Sequence, residues 1–212
     1  GYIWMATARG LDRLDGYDQP YFFLNKSDNV SLSNDNVCKL FVSRCGYLYV
    51  FSRWGINIYN RSGSNFMRLK DINGNYYSGC VEQDLDWRIW VSPNSSSTLS
   101  YVDNKLGLIH SMRVPQINKP ISQLCCDDRG LLWIIMENRI IIFNPHFRKI
   151  VAQINNSNIK QLFKGPQKNT LYGITTSNEV ILINSVTRRT IGLPLFMSKN
   201  NIEKAGVTAD RR

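Results

Sequence analysis

No apolar run in this chain exceeds the length of one strand. The longest, Leu131-Leu132-Trp133-Ile134-Ile135-Met136, falls far short of the ~20 residues that a spanning helix needs, so no membrane contact is expected of this segment itself. A charged and then apolar opening stretch is also missing, which places any targeting signal outside the sequence that starts at Gly1. Cysteine is sparse. Cys38, Cys45, Cys80, Cys125 and Cys126 form an odd set with no C-x-x-C pair, which excludes a disulfide scaffold and leaves most of them as small core residues. A Cys38–Cys45 bridge is disfavoured, because both lie on or beside one expected strand, where seven residues hold the side chains too far apart. The only histidines, His110 and His146, have no Cys, Asp or Glu at ligand spacing, so neither a metal nor another cofactor is expected. Proline (7) and glycine (14) are scattered rather than clustered, so no linker divides the chain and it reads as a single unit over 1–212.

Acidic residues are in deficit, 16 against 26 basic ones, for a formal charge of +10. Such a surplus favours acidic partners in general, from nucleic acid to acidic polysaccharide. The basic residues are nonetheless dispersed, with few adjacent pairs such as Arg188-Arg189 and Arg211-Arg212, and no RNA-binding signature accompanies them. They read as a solvated surface, and no nucleic-acid partner is expected. With 43% hydrophobic and 11% aromatic residues, the chain can bury a substantial core.

What the sequence does contain is a repeat. Gly1-Tyr2-Ile3-Trp4, Gly46-Tyr47-Leu48-Tyr49, Trp87-Arg88-Ile89-Trp90, Gly130-Leu131-Leu132-Trp133 and Asn169-Thr170-Leu171-Tyr172 share one pattern, and their fourth, aromatic residues recur at intervals of 45, 41, 43 and 39. About ten residues after each aromatic, a β-rich run ends in Asp15, Asn60, Asp103, Asn144 or Asn184, a residue type that starts turns by bonding its own downstream backbone. Six residues before the aromatic stand Ser43, Asp84, Asp127 and, at the chain's end, Asp210, with Pro166 at the remaining junction. The repeats run at about 1–45, 46–86, 87–129, 130–168 and 169–212.

Each repeat reads as four short strands, in the best case Ile121 to Cys126, Leu131 to Met136, Ile140 to Phe143 and Lys149 to Ala152. No segment sustains helical apolar spacing, so the fold is all-β. A four-stranded unit with a period near 42 residues is the mark of a β-propeller blade. A sandwich would not make three marks return together five times. The chain begins on the second strand of one blade and, at Ile202 to Ala209, ends on the first strand of another, so closure on the blade of Ile3 to Thr7 is permitted. Five blades closing alone and five blades within a larger ring both fit.

Gly1 to Tyr17 resembles the opening blade of the two-component regulator propeller family, Ser31-Leu32-Ser33-Asn34-Asp35-Asn36-Val37 resembles its link from first to second blade, and Asp127-Asp128-Arg129-Gly130-Leu131-Leu132-Trp133 resembles its repeat signature. Tyr49 and Tyr172 replace the usual Trp, and Ser92 to Ser97 replaces a glycine turn, so site positions do not transfer there. The resemblance implies a segment of a seven-bladed propeller in the periplasmic part of a hybrid sensor histidine kinase of Bacteroidetes type, many of which regulate polysaccharide use. It further implies a homodimer in the full receptor. Propellers of the streptogramin-lyase type also resemble these repeats, which makes an enzyme the rival expectation and a protein-interaction scaffold the third.

In a propeller the turns between second and third strands share a face with the links between blades, the usual binding surface. That selects Arg9, Arg53, Trp54, Asn94, Glu137, Asn138 and Asn178 as candidate ligand-binding residues, with an oligosaccharide as the expected ligand. Arg53 beside Trp54 offers a guanidinium next to a ring, suited to stacking on a sugar; packing of Trp54 against a neighbouring blade is the alternative. No catalytic residue is expected. His110 and His146 fall outside these turns, no nucleophile elbow or phosphate loop is present, and Asp84 with Asp86 and Asp127 with Asp128 sit at repeat positions that make them turn formers.

Overall fold

In the computed structural model, described at residues 2–14, 16, 19–53, 55–71, 79–103, 108–155, 157–165 and 167–192, every regular element among the described residues is a β-strand. The first sheet holds β1 (Ile3–Thr7), β2 (Gly10–Leu14) and β3 (Tyr21–Phe22), and the second β4 (Val37–Val42), β5 (Leu48–Ser52), β6 (Gly55–Asn60) and β7 (Asn65–Arg68). A short β8 (Lys70–Asp71) then lies parallel to β12 (Leu108–Met112) at the border of the third sheet, which also contains β9 (Cys80–Gln83), β10 (Ile89–Ser92) and β11 (Leu99–Asp103). The fourth sheet is β13 (Ile121–Cys126), β14 (Leu132–Met136), β15 (Arg139–Asn144) and β16 (Lys149–Asn155). The fifth is β17 (Ile159–Lys164), β18 (Thr170–Thr175), β19 (Val180–Asn184) and β20 (Thr190–Gly192). Two compact units result: Gly1–Gln83 with Trp87–Gln116, carrying the first three sheets, and Asp84–Asp86 with Ile117–Arg212, carrying the last two.

The sequence marks have physical counterparts in the sheets. The repeat aromatics occupy one register position, Tyr49 opposite Phe41 and Ile58, Trp90 opposite Glu82 and Tyr101, Trp133 opposite Cys125 and Ile142, and Tyr172 opposite Phe163 and Leu182. The Asx residues end third strands by bonding backbone ahead of them. Asn60 Oδ1 accepts from Ser62 N (3.2 Å), Asn144 Oδ1 from Phe147 N (3.0 Å), and Asn184 Oδ1 from Val186 N (3.0 Å) and Thr187 N (2.9 Å). Asp15, Pro166, Asp210 and the strand expected over Ile202 to Ala209 lie outside the described residues.

The mark six residues before the aromatic closes the turn between first and second strands. Asp127 Oδ1 accepts from Arg129 N and Leu131 N, both at 2.9 Å, while Oδ2 accepts from Trp133 Nε1 at 3.1 Å, so one buried carboxylate holds both the turn and the ring that follows it. At Ser43 the hydroxyl accepts from Tyr47 N (3.1 Å) in the same place. The turn requires a left-handed residue, supplied by Gly46 (φ 80°) and Gly130 (φ 77°), by Asn169 (φ 61°), and in the third repeat by Trp87 (φ 67°).

Burial follows strand position. All of Leu132–Met136 is buried, as is all of Leu48–Ser52, whereas the outermost strand Lys149–Asn155 alternates. Continuous burial requires cover on both faces, and alternation means one face in water. The cores accordingly sit between neighbouring sheets. Leu11, Leu32, Val50, Tyr59 and Phe66 pack between the first and second sheets with Trp4 and Phe22, and Trp133, Ile140, Ile142, Leu162, Leu171 and Ile183 between the fourth and fifth. Each fully buried side chain of this size contributes about 1.5–3 kcal/mol. Strand limits differ from expectation at three of these four strands: Leu132–Met136 starts one residue after Leu131, Arg139–Asn144 extends Ile140 to Phe143 by one residue at each end, and Lys149–Asn155 runs three residues beyond Ala152, because Gln153, Ile154 and Asn155 still pair with Ile141, Ile140 and Arg139.

Candidate functional site

The turns between second and third strands carry the residues named from the sequence. In the first sheet Arg9 is exposed in the β1–β2 turn, its N donating to Thr7 Oγ1 (3.2 Å) and its carbonyl accepting from the Tyr21 hydroxyl. Gly10 beside it (φ 150°) must be glycine, since a Cβ there would stand 2.3 Å from Phe22 O and 3.0 Å from the Tyr21 ring. Arg53 is exposed between β5 and β6; Trp54 lies outside the described residues. Asn94 is exposed in the β10–β11 turn. In the other unit, Glu137 and Asn138 (φ 56°) form the β14–β15 turn, and Asn178 (φ 63°) sits between β18 and β19.

Within each unit these turns are bonded to the links between sheets. Arg53 N donates to Asn36 O (3.0 Å), just ahead of β4. The equivalent bond ahead of β17 runs from Thr176 N to Asn158 O (2.7 Å), and Ser157 N in the same link donates to Asn138 O (3.1 Å). Glu137 and Asn138, with Lys119, Arg139 and Asn155, line an open depression of about 490 Å³, and Lys119 Nζ stands 3.7 Å from Glu137 Oε2. Donors and acceptors of both charges on rigid turns suit a hydroxyl-rich ligand.

A second surface lies at the opposite ends of the strands in the first unit. There Tyr2, Trp4, Tyr47, Tyr59 and Arg61 line a cleft of about 880 Å³ between the first and second sheets, and no carboxylate lines it among the described residues. The Arg13 and Arg61 guanidiniums stand 4.5 and 5.5 Å from the Tyr2 ring centroid. On the same β4–β5 turn as Tyr47, Arg44 reaches to 5.5 Å from the Trp87 ring, while Gln83 Nε2 donates to Trp87 O (3.2 Å) and Gln83 Oε1 accepts from Arg44 N (2.8 Å). Trp87 is 53% exposed. The sequence does carry a signal for it: a tryptophan stands where the other repeats have glycine or asparagine. A left-handed backbone costs a bulky residue about 1–2 kcal/mol.

Among the described residues the histidines and carboxylates are dispersed. His146 Nδ1 lies 3.4 Å from Asp86 Oδ2, an exposed pair, and His110 stacks on Tyr101 with ring centroids 5.1 Å apart. No group of three His, Cys, Asp or Glu capable of holding a metal occurs among the described residues. Burial pushes Asp128 up, but Asn169 N (2.9 Å) and Lys164 Nζ (3.2 Å) outweigh it and leave the carboxyl below its ordinary pKa. Bonds from Ser31, and then from Val30 N, hold Asp28 low as well. All five cysteines are free; Cys80, Cys125 and Cys126 are buried, but Cys38 and Cys45 are exposed. Desolvation raises Cys38 and Cys80, which keeps them as thiols of low reactivity.

Small antiparallel sheets that begin with a link strand and recur once per repeat define a segment of a β-propeller. No protein-family model matches the sequence, and no curated protein does. Among solved structures, the fold is similar to the extracellular domain of BT4673 from B. thetaiotaomicron, described as a one-component system, with a TM-score of 0.70 and 18% identity over 91% of this chain and 29% of that one. It is similar also to the extracellular domain of BT3049 from the same organism, described as a hybrid two-component system (TM-score 0.66, 17% identity, 96% and 28% covered). Virginiamycin B lyase from Staphylococcus aureus shares the fold at a TM-score of 0.71 and 13% identity, over 94% of this chain and 68% of the lyase. The chain thus spans less than a third of the two extracellular domains.

Proposed function

We propose that this chain is part of the extracytoplasmic sensing region of a hybrid two-component sensor histidine kinase, that it is periplasmic, and that it responds to an oligosaccharide. The supporting observation is the coincidence of two likenesses, one in sequence motifs and one in fold. Gly1 to Tyr17 and Asp127 to Trp133 resemble a propeller family of such receptors, and the strands built from those residues adopt the fold of two extracellular domains from Bacteroides signalling systems. The turns bearing Arg9, Arg53 and Asn94 in one unit, and those bearing Glu137, Asn138 and Asn178 in the other, each offer hydrogen-bonding groups of the kind that sugar hydroxyls need. In the full receptor the segment takes part in a homodimer.

An enzyme of the lyase type shares the fold and is the alternative. A catalytically inactive form of that lyase carries a histidine-to-alanine replacement. Here His146 pairs with the exposed Asp86, and His110 packs on Tyr101 within a sheet, so the two histidines do not present a converging acid and base among the described residues.

A panel of oligosaccharides, screened by thermal shift against the chain, tests the sensing function, because a ligand that binds only the folded state raises its midpoint. At least one sugar is expected to raise it in a saturable way. A panel without effect removes the oligosaccharide, and a natural coding sequence that carries neither a transmembrane helix nor a kinase removes the receptor.

A further inference from the structure

Trp87 is the most conspicuous side chain outside the turns named above. It occupies the left-handed position that glycine or asparagine fills in the neighbouring turns, and half of its large ring faces solvent. Burial does not explain a tryptophan there, and local backbone preference opposes it. What the position provides is a ring plane with the Arg44 guanidinium 5.5 Å from its centre, on a turn fixed by Gln83.

The surface continues past Tyr47, itself 54% exposed, into the cleft where Arg13 and Arg61 flank the Tyr2 ring. Exposed rings stack on the apolar face of a pyranose, and guanidiniums bind carboxylates through paired donors. We propose that this aromatic and arginine surface of the first unit, with Trp87/Arg44 at one end and Tyr2/Arg61 at the other, binds an oligosaccharide whose rings carry carboxylates, that is, a uronate-containing chain. The ligand class rests on the oligosaccharide reading above, while the location does not: it is the strand end opposite the turns of Arg53 and Asn94.

The test is isothermal titration calorimetry of trigalacturonate and of maltotriose, its neutral counterpart in length, with the chain and three variants. Trp87→Asn installs the residue that the fifth repeat uses in this conformation, Arg61→Ala removes an exposed turn side chain, and Gln153→Ala alters an exposed strand position of the other unit. Trigalacturonate is expected to bind, more weakly as salt is raised. Trp87→Asn and Arg61→Ala should each weaken it by at least about tenfold, the scale of one lost stacking or charged contact, and Gln153→Ala should leave it unchanged. The melting midpoint of Trp87→Asn should stay level or rise by roughly 2–4 °C as backbone strain is relieved. A lower midpoint overturns the proposal, since Trp87 would then be held by packing. Equal affinity for maltotriose overturns the uronate assignment, and unchanged affinity in both first-unit variants overturns the location, with sugar sensing intact in either case. If neither trisaccharide binds but another sugar of the thermal-shift panel does, only this proposal falls; if no sugar acts, both fall.

Discussion

The first and fourth sheets carry the same repeat signature and bury it to very different extents. In β14, Leu132, Trp133 and Ile134 are all fully buried, whereas at the equivalent places in β1 Ile3 is 63% exposed, Met5 is 41% exposed and Trp4 is half-buried. The difference lies in the neighbours. Strand β14 is paired on both sides, by β13 and β15, while among the described residues β1 pairs with β2 alone. The signature therefore specifies a strand and a turn, and adjoining strands decide how much stability that strand returns.

Tryptophan deletion measures this contrast most directly. Trp133→Ala removes a fully buried ring and leaves Asp127 Oδ2 without its indole donor, which should cost about 3–5 kcal/mol in urea unfolding. Trp4→Ala, in a ring cluster with Phe22 and Tyr59 but half-buried, should cost about half as much. Equal losses would show that β1 is covered in solution as fully as β14.

The turn ahead of the aromatic comes next in size. Asp127→Ala strips four donors, the Arg129 guanidinium among them, of their acceptor in the fourth sheet and should lower stability by about 2–3 kcal/mol. Ser43→Ala removes a single acceptor from the same turn of the second sheet and should lower it by about 1 kcal/mol. A Ser43→Ala loss as large as that of Asp127→Ala would mean that the backbone bonds of the turn, not the side-chain acceptor, set its strength.

Much of this architecture is legible in the sequence because it is local. Asn60, Asn144 and Asn184 bond backbone within three residues, and Asp127 reaches no farther than Trp133, so their spacing alone displays their role. Non-local consequences leave no such trace. The parallel pairing of β8 with β12 joins residues almost forty apart, and the exposure of Cys38 and Cys45 depends on which sheet faces are covered. For the candidate site, strand order was enough to put Arg9, Arg53, Asn94, Glu137, Asn138 and Asn178 on second-to-third turns. It did not reveal the opposite strand ends, because Arg44 and Trp87 are brought together by the Gln83 side chain across two sheets. Only Trp87 leaves a trace in the sequence, as a tryptophan where the other repeats have glycine or asparagine.

The smallest expected effect concerns how sheets are joined. Ser33 N donates to Asn57 Oδ1 (2.9 Å) and Arg13 Nη1 to Tyr59 Oη (2.9 Å) beside the first sheet, whereas beside the fourth the Asp128 carboxylate links to Asn169 N and Lys164. Because the folded protein holds Asp128 below its ordinary pKa, the stabilisation is complete above the unfolded carboxylate value of about 3.9 and is lost as pH falls through the lower, folded value. Asp128→Asn should lower stability at pH 7 by no more than about 1 kcal/mol, as expected of a partly exposed pair. It should also make the loss of stability as pH falls below about 4 shallower, without abolishing it, since Asp28 titrates in the same direction. An acid transition unchanged by Asp128→Asn would assign that sensitivity to the unit of the first sheet, where Asp28 lies, and remove the contrast between charged and neutral joints.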